Sequence, residues 1–179
     1  MLSTPSIISL STITTPIGPM VCGSINGQLC LLEFEDRRML PTQLKRITHF
    51  LSAQLRDEQV PFHDQVQQEI TGYFEAKRKT FDLPLLVPGT KFQQAVWLEL
   101  EKIPYGKTRS YLQQAKALGN EKAIRAVAKA NGDNRLAIII PCHRVIGSHG
   151  EMTGYGGKIW RKKFLLELEG AIVPQPRLF

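Results

Sequence analysis

The chain alternates short apolar runs with polar breaks, and the period of each run predicts an element. Ile7 to Thr14 predict a strand. The stretch VCGSINGQLCLLEF, residues 21–34, predicts a hairpin, because Asn26-Gly27 suits a two-residue type I′ turn. That turn implies a register in which Cys22 faces Leu31 and Cys30 faces Gly23, so the two thiols project from opposite sides of the sheet. Leu44, Ile47, Leu51 and Leu55 then recur at helical spacing behind Pro41, and Val66, Ile70 and Phe74 predict a second helix from about Asp64. Residues 1–80 therefore read as a small α+β domain whose antiparallel sheet is covered on one face.

The stretch FDLPLLVPG, residues 81–89, predicts an extended connector, since residues before proline avoid the helical region. From residue 90 to 179 the pattern is mainly helical. Phe92, Val96, Trp97 and Leu100 share one helix face, which Pro104 and Gly106 terminate. Leu112, Ala115 and Leu118 predict a short helix, Gly119-Asn120 a tight break, and Ile124, Val127 and Ala128 the buried side of a following helix; together they predict a helix-turn-helix. In the last helix Trp160, Phe164, Leu165 and Leu168 mark a buried stripe and Gly170 a C-cap, which sets Glu169 in the final turn. The fold class is α+β: an N-terminal antiparallel-sheet domain with helices, followed by a mainly helical C-terminal domain.

Composition changes this picture little, but charge changes it more. With 42% hydrophobic and 22% charged residues, the 179-residue chain is a folding sequence rather than a disordered one. No apolar run reaches membrane-spanning length, and residues 1–20 lack the basic start and apolar centre of a signal peptide, so a cytoplasmic protein is expected. The net charge of +7 is uneven: residues 1–80 carry eight Lys/Arg and eight Asp/Glu, residues 81–179 fifteen against eight. A basic half beside a neutral one suits a phosphate polymer, because Lys and Arg release condensed counterions; a solvated basic face is the plainer reading. Cys22, Cys30 and Cys142 belong to no CxxC pair, which speaks against a disulfide framework or a four-ligand zinc site.

Two stretches carry candidate chemistry. The second helix of the helix-turn-helix presents Ala123, Ala126 and Ala130 around a single Arg125, whereas a reader of base edges presents Arg, Asn, Gln or Ser. Small side chains allow close approach to a groove and one long cation could enter the base stack; a helix packed inside the protein would use alanines equally well. The other stretch, RLAIIIPCHRVIG at 135–147, sets Cys142, His143 and Arg144 directly after an isoleucine run that reads as a buried strand. Neighbouring side chains of an extended segment point to opposite faces, so His143 reaches the Cys142 sulfur directly only if the chain turns, and otherwise through a water. A free thiol of pKa about 8.5 is only a few per cent ionised at neutral pH, so a nucleophilic Cys142 has to be held ionised by an acceptor or a positive field; the alternative is an inert buried cysteine. Glu169 opposes the helix macrodipole and so suggests a partner such as a histidine, against the alternative of an exposed Glu screened by Lys162 and Lys163.

GTKFQQAVW, IPYGKTRSY, AIRAVAKAN, IIPCHRVIG and TGYGGKIWRKKFLLELEG occur in this order between Gly89 and Gly170, and there the chain closely resembles the O6-alkylguanine-DNA alkyltransferases, the methylated-DNA–protein-cysteine methyltransferases. The first half resembles them only loosely, through TPIGPM and the hairpin. The resemblance implies a ribonuclease-H-like first domain and a single-unit constitutive type without cofactor or metal. It implies a monomer that binds double-stranded DNA through the minor groove, without sequence preference, and flips O6-alkylguanine out of the duplex. It also implies irreversible, stoichiometric transfer of the alkyl group to Cys142, with His143 acting through a water as base and Glu169 orienting it. Asn134 would be the hinge between the second helix and the site, and Tyr111 would contact the base and assist rotation of its phosphate. Arg125 would fill the vacated space, flanked by Ala123 and Ala126. Pro141, Val145, Tyr155, Gly156, Gly157 and Lys162 would form the substrate pocket. Arg135 stands where the family usually has proline, which puts hinge stiffness in question. A non-catalytic lesion-binding relative is the alternative; that type has tryptophan in place of the thiol.

Overall fold

The computed structural model describes residues 4–174 and 176. Strands β1 (Ser6–Ile13), β2 (Met20–Ile25), β3 (Gln28–Phe34) and β4 (Ala53–Asp57) form one sheet in the order β3-β2-β1-β4. The hairpin turns at Asn26 and Gly27, both with positive φ as a type I′ turn requires. Pairing begins in the expected register at Ile25↔Gln28 and Ser24↔Leu29 but then slips, so that Gly23 faces Leu31 and Cys22 faces Leu32. Cys30 is the extra residue of a β-bulge, which corrects the expected partners of both thiols. The thiols still lie on opposite faces, Cys22 in the main core and Cys30 in a smaller one.

Helix α1 (Leu40–Leu51) stops at Ser52, which adopts the left-handed conformation, and the chain reverses into β4. Leu55, expected on that helix, therefore lies in β4, which runs parallel to β1. The sheet is covered on both faces, not one. Leu40 and Ile47 of α1 pack on Ile8, Cys30 and Leu31, and Val66, Ile70 and Tyr73 of α2 (Pro61–Phe74) pack with Cys22, Leu29 and Leu32.

The outer edge of β3 receives two later stretches of chain. In the extended connector, Pro84 O accepts from Leu29 N and Leu86 N donates to Leu29 O. One step along, Arg135 O accepts from Leu32 N and Ala137 N donates to Leu32 O. That single bridge is all the strand character of the isoleucine run: residues 137–140 turn back on themselves, with Ile138 at φ 73°. The expected buried strand is thus a buried turn. The core continues without a break from the sheet into α3 (Lys91–Glu101), where Thr90 and Gln93 form a capping box, and on through Val127, Leu136 and Leu165. Among the described residues no helix is long and apolar enough to cross a membrane.

Helix α6 (Ile159–Leu168) is rotated from its expected face. Trp160 and Phe164 are 52% and 37% exposed, while Arg161 and Lys162 are buried beside Leu165 and Leu166. The inversion is possible because acceptors await both cations. Arg161 donates to Ile17 O at 2.7 Å, pairs with Asp36 and stacks on Phe34, and Lys162 donates to the carbonyls of Val145 and Thr153. Arg161→Ala should therefore cost roughly 2–3 kcal/mol, leaving a buried carbonyl unpaired, and Trp160→Ala about 1 kcal/mol or less. Urea unfolding of the two variants checks this order; the opposite order would restore the apolar-stripe reading.

Candidate functional site

Pro141 opens a single 3-10 turn, Cys142–Arg144, which leads into β6 (Val145–Ile146), paired in parallel with β5 (Arg109–Ser110). The segment at Cys142 is therefore turned, not extended. In a turn of three residues, neighbouring side chains diverge by about 120°, so sulfur and imidazole still point apart. The partner of Cys142 Sγ is Asn134, whose Nδ2 donates to it at 3.2 Å and to Ile140 O at 2.8 Å, while its Oδ1 accepts from Leu136 N at 3.0 Å. One amide thus holds the turn and the sulfur together. Cys142 keeps partial exposure. Its packed surroundings push the thiol pKa up, the Asn134 donor only partly opposing this, so the sulfur rests protonated and is not held ionised as expected from sequence.

Glu169 caps the C-terminus of α6, just before Gly170 at φ 70° in a Schellman arrangement (Ala171 N to Leu166 O, Gly170 N to Glu167 O). It is buried, which excludes the screened surface reading. Its oxygens accept from His143 Nε2 at 2.7 Å, Arg144 Nε at 2.8 Å and Nη2 at 3.0 Å, the Tyr73 hydroxyl at 2.6 Å and Gly106 N at 3.3 Å. Burial pushes this carboxyl up, but the bonds from His143 and Arg144 overcome it and hold the group well below the usual carboxylate range. His143 goes the other way. Burial lowers its pKa, with Glu169 only partly compensating, so the imidazole is neutral near pH 7. With its proton on Nε2, facing Glu169, the other nitrogen is a free acceptor, and Nδ1 is indeed buried without a hydrogen-bond partner among the described residues.

A narrow cavity beside Cys142 is lined by Tyr155, Gly156 and Gly157 of the expected pocket, by Asn134, expected only as a hinge, and by Glu33 and Arg37 from β3 and the turn after it. Arg37 reaches across from the first half to bind Glu33 and the carbonyls of Gly132 and Asn134. Pro141, Val145 and Lys162 do not line it: Pro141 borders a different groove, Val145 is in the core, and Lys162 is fully buried, its pKa lowered to about 8 by burial. The Tyr155 hydroxyl is buried without a hydrogen-bond partner among the described residues, and Tyr111 donates to Thr153 O at 3.1 Å. Arg135 is buried as well. It donates to Gln43 Oε1 and Pro88 O and lies over Trp97, so a side-chain clamp anchors the residue after Asn134.

Helices α4 (Tyr111–Ala117) and α5 (Ile124–Gly132) form the expected helix-turn-helix, joined through Gly119 at φ 76° and a short 3-10 turn. Arg125 and Ala126 are exposed and Ala123 is half-buried, with Lys122 and Lys129 exposed nearby. Ala128 is exposed and Ala130 buried, the reverse of their expected sides, since α5 rests on Val127, Ala130 and Asn131.

A basic helix-turn-helix docked beside a thiol, with a neutral imidazole and an ionised carboxylate behind it, defines a DNA-binding protein with nucleophilic chemistry. Comparison with known proteins narrows the class. Residues 91–171 match the family model described as 6-O-methylguanine DNA methyltransferase, DNA binding domain. The constitutive methylated-DNA–protein-cysteine methyltransferase of Bacillus subtilis is 45% identical over 80% of this chain and 89% of its own length. The methylated-DNA–protein-cysteine methyltransferase of Mycobacterium tuberculosis is 42% identical over 94% of this chain and 96% of its own length. The crystal structure of the M. tuberculosis O6-methylguanine methyltransferase superposes with a TM-score of 0.77 at 40% identity, covering 93% of this chain and 95% of that one. M. tuberculosis OGT in complex with DNA gives 0.76 at 38% identity, over 92% and 93%. The chain belongs to the methylated-DNA–protein-cysteine methyltransferase family.

Sequence reasoning did not identify Arg37, Glu33 or Tyr73 at the site. Glu33 lies in β3 and Arg37 in the turn after it, so no helical spacing announces their pair. Glu169 also makes stability depend on pH. Its folded pKa is depressed, so its contribution is complete above the unfolded value of about 4.3 and is lost as pH falls through the lower folded value. Glu169→Gln should flatten the loss of stability between about pH 5 and pH 2, read by urea midpoints along that range.

Proposed function

We propose that the protein repairs duplex DNA by flipping out O6-alkylguanine and moving the alkyl group, irreversibly and once per molecule, onto its own Cys142. The observation that carries the reading is the buried Nδ1 of His143, without a partner among the described residues, on an imidazole anchored to Glu169 and one residue from a thiol held by Asn134. A water between sulfur and Nδ1 passes the thiol proton to the imidazole. The thiolate attacks the alkyl carbon, the carbon–O6 bond breaks, its electron pair goes to the purine, and protonation yields guanine. The resulting thioether has no neighbour able to hydrolyse it, so the protein is consumed and needs no cofactor.

Extrusion costs a few kcal/mol, less at a damaged pair. Arg125 offsets part of that by filling the gap, Ala123 and Ala126 let α5 approach the minor groove, and the surrounding lysines contact phosphates without reading sequence. Tyr111 assists rotation of the target nucleotide, and Tyr155, Gly156 and Gly157 enclose the base. Lys162 holds the loop before Gly154 in place by donating to the carbonyls of Val145 and Thr153. The division of labour follows the chain: residues 1–80 brace the site, 81–89 connect, and 90–179 bind DNA and react. The protein works as a monomer in the cytoplasm.

Incubation with O6-methylguanine duplex followed by intact-protein mass should show one methyl in place of one proton, mapping to Cys142; repeated product release from unmodified protein overturns the reading. Arg125→Ala should slow repair of duplex DNA more than transfer from free O6-benzylguanine, and equal losses would remove its role in extrusion. Because the base must be neutral and its pKa is lowered, the transfer rate should hold through mild acid. It should fall only below the ordinary histidine value of about 6.5, as a stopped-time assay across pH would record.

A further inference from the structure

We infer that Tyr73, on α2 of the first half, is a positioning residue of the transfer reaction, its hydroxyl setting the strength and direction of the Glu169–His143 bond. Tyr73 donates at 2.6 Å to Glu169 Oε1, the oxygen that His143 Nε2 also meets at 2.7 Å. Its ring is fully buried, edge-on to Phe74 and Tyr105 and tilted against Phe81, so the hydroxyl has one place to point. Burial pushes its pKa far up, so at any working pH the group is a donor and never an anion. The second carboxylate oxygen, Oε2, accepts from Arg144 Nε and Gly106 N, and the same guanidinium bridges to Oε1 through Nη2.

Three donors share Oε1, since Arg144 Nη2 also reaches it at 3.0 Å, and they compete for its charge. The Tyr73 proton draws charge from Oε1, so Glu169 pulls less strongly on the Nε2 proton and the imidazole stays neutral, with Nδ1 free to accept. Without it, the carboxylate would favour the imidazolium, and the base would be pre-protonated over more of the pH range. The other polar and charged groups facing this pair are the Arg144 guanidinium and the Tyr105 hydroxyl, with the Lys162 ammonium beyond. Arg144 and Lys162 disfavour the imidazolium by charge. None of them replaces a neutral donor on Oε1 from the α2 side.

This role rests on the alkyl-transfer reading, and the test keeps the two apart. Tyr73→Phe should keep the fold and the affinity for alkylated DNA. It should also lower the transfer rate at neutral pH roughly two- to tenfold, about the worth of one hydrogen bond, and move the acid limb of the pH–rate profile upward. Phe81→Leu, which disturbs the same ring cluster without touching Glu169, should lower the unfolding midpoint and leave that limb in place. An unmoved limb in Tyr73→Phe, or an equal shift in both variants, overturns the proposal. Should Tyr73→Phe not fold, the unaltered protein decides: the 13Cζ resonance of Tyr73 should inflect at the pH where His143 titrates, and a flat trace overturns the role. Failure of the unaltered protein to methylate itself would instead remove the reading beneath it.

Discussion

A carboxylate taken out of water survives as an anion only if its lone pairs are met, and Glu169 is such a group. Its donors come from α2, from the loop before β5 and from the turn that carries Cys142, while Glu169 itself ends α6. Four separate parts of the chain must be in place before the charge is tolerated. The reactive turn is therefore set by the completed fold rather than by its own short sequence. The same charge keeps His143 in one tautomer and leaves the opposite nitrogen available. Stability and reactivity here share one constraint.

Asn134 plays the matching part on the sulfur side. It closes the isoleucine turn and touches Sγ, and its neighbour Arg135 is clamped to α1 and the connector. Where a proline would stiffen the backbone by fixing φ, this chain uses a buried guanidinium over Trp97 to hold the same spot. Arg37 adds a second tie from the first half to the end of α5. The end of α5 and the wall of the cavity are thus held by one guanidinium.

The local signals in the sequence were reliable. Asn26-Gly27, Gly119-Asn120 and Gly170 each mark a turn that needs positive φ, and the helix-turn-helix and the place of Glu169 follow from them. The failures share a cause, which is partners distant in sequence. Leu55 continues a helical period past Ser52, where the chain reverses into a sheet edge. Ile138 to Ile140 have the composition of a strand, but Asn134 and Pro141 fold them into a turn. Arg161 and Lys162 look like surface residues until the carbonyls of Ile17, Val145 and Thr153 arrive to accept their protons. Tyr73 and Arg37 carry no motif at all, since their meaning lies in what they touch across the two halves.

The bulge at Cys30 has a practical corollary. By seating Cys22 and Cys30 in separate cores, both sealed and both with thiols pushed up to about 12, it leaves Cys142 as the one cysteine that is not fully buried. A thiol-reactive dye added to folded protein therefore counts molecules that have not yet been spent, and the same count in denaturant supplies the total. The molecule carries its own gauge of remaining capacity.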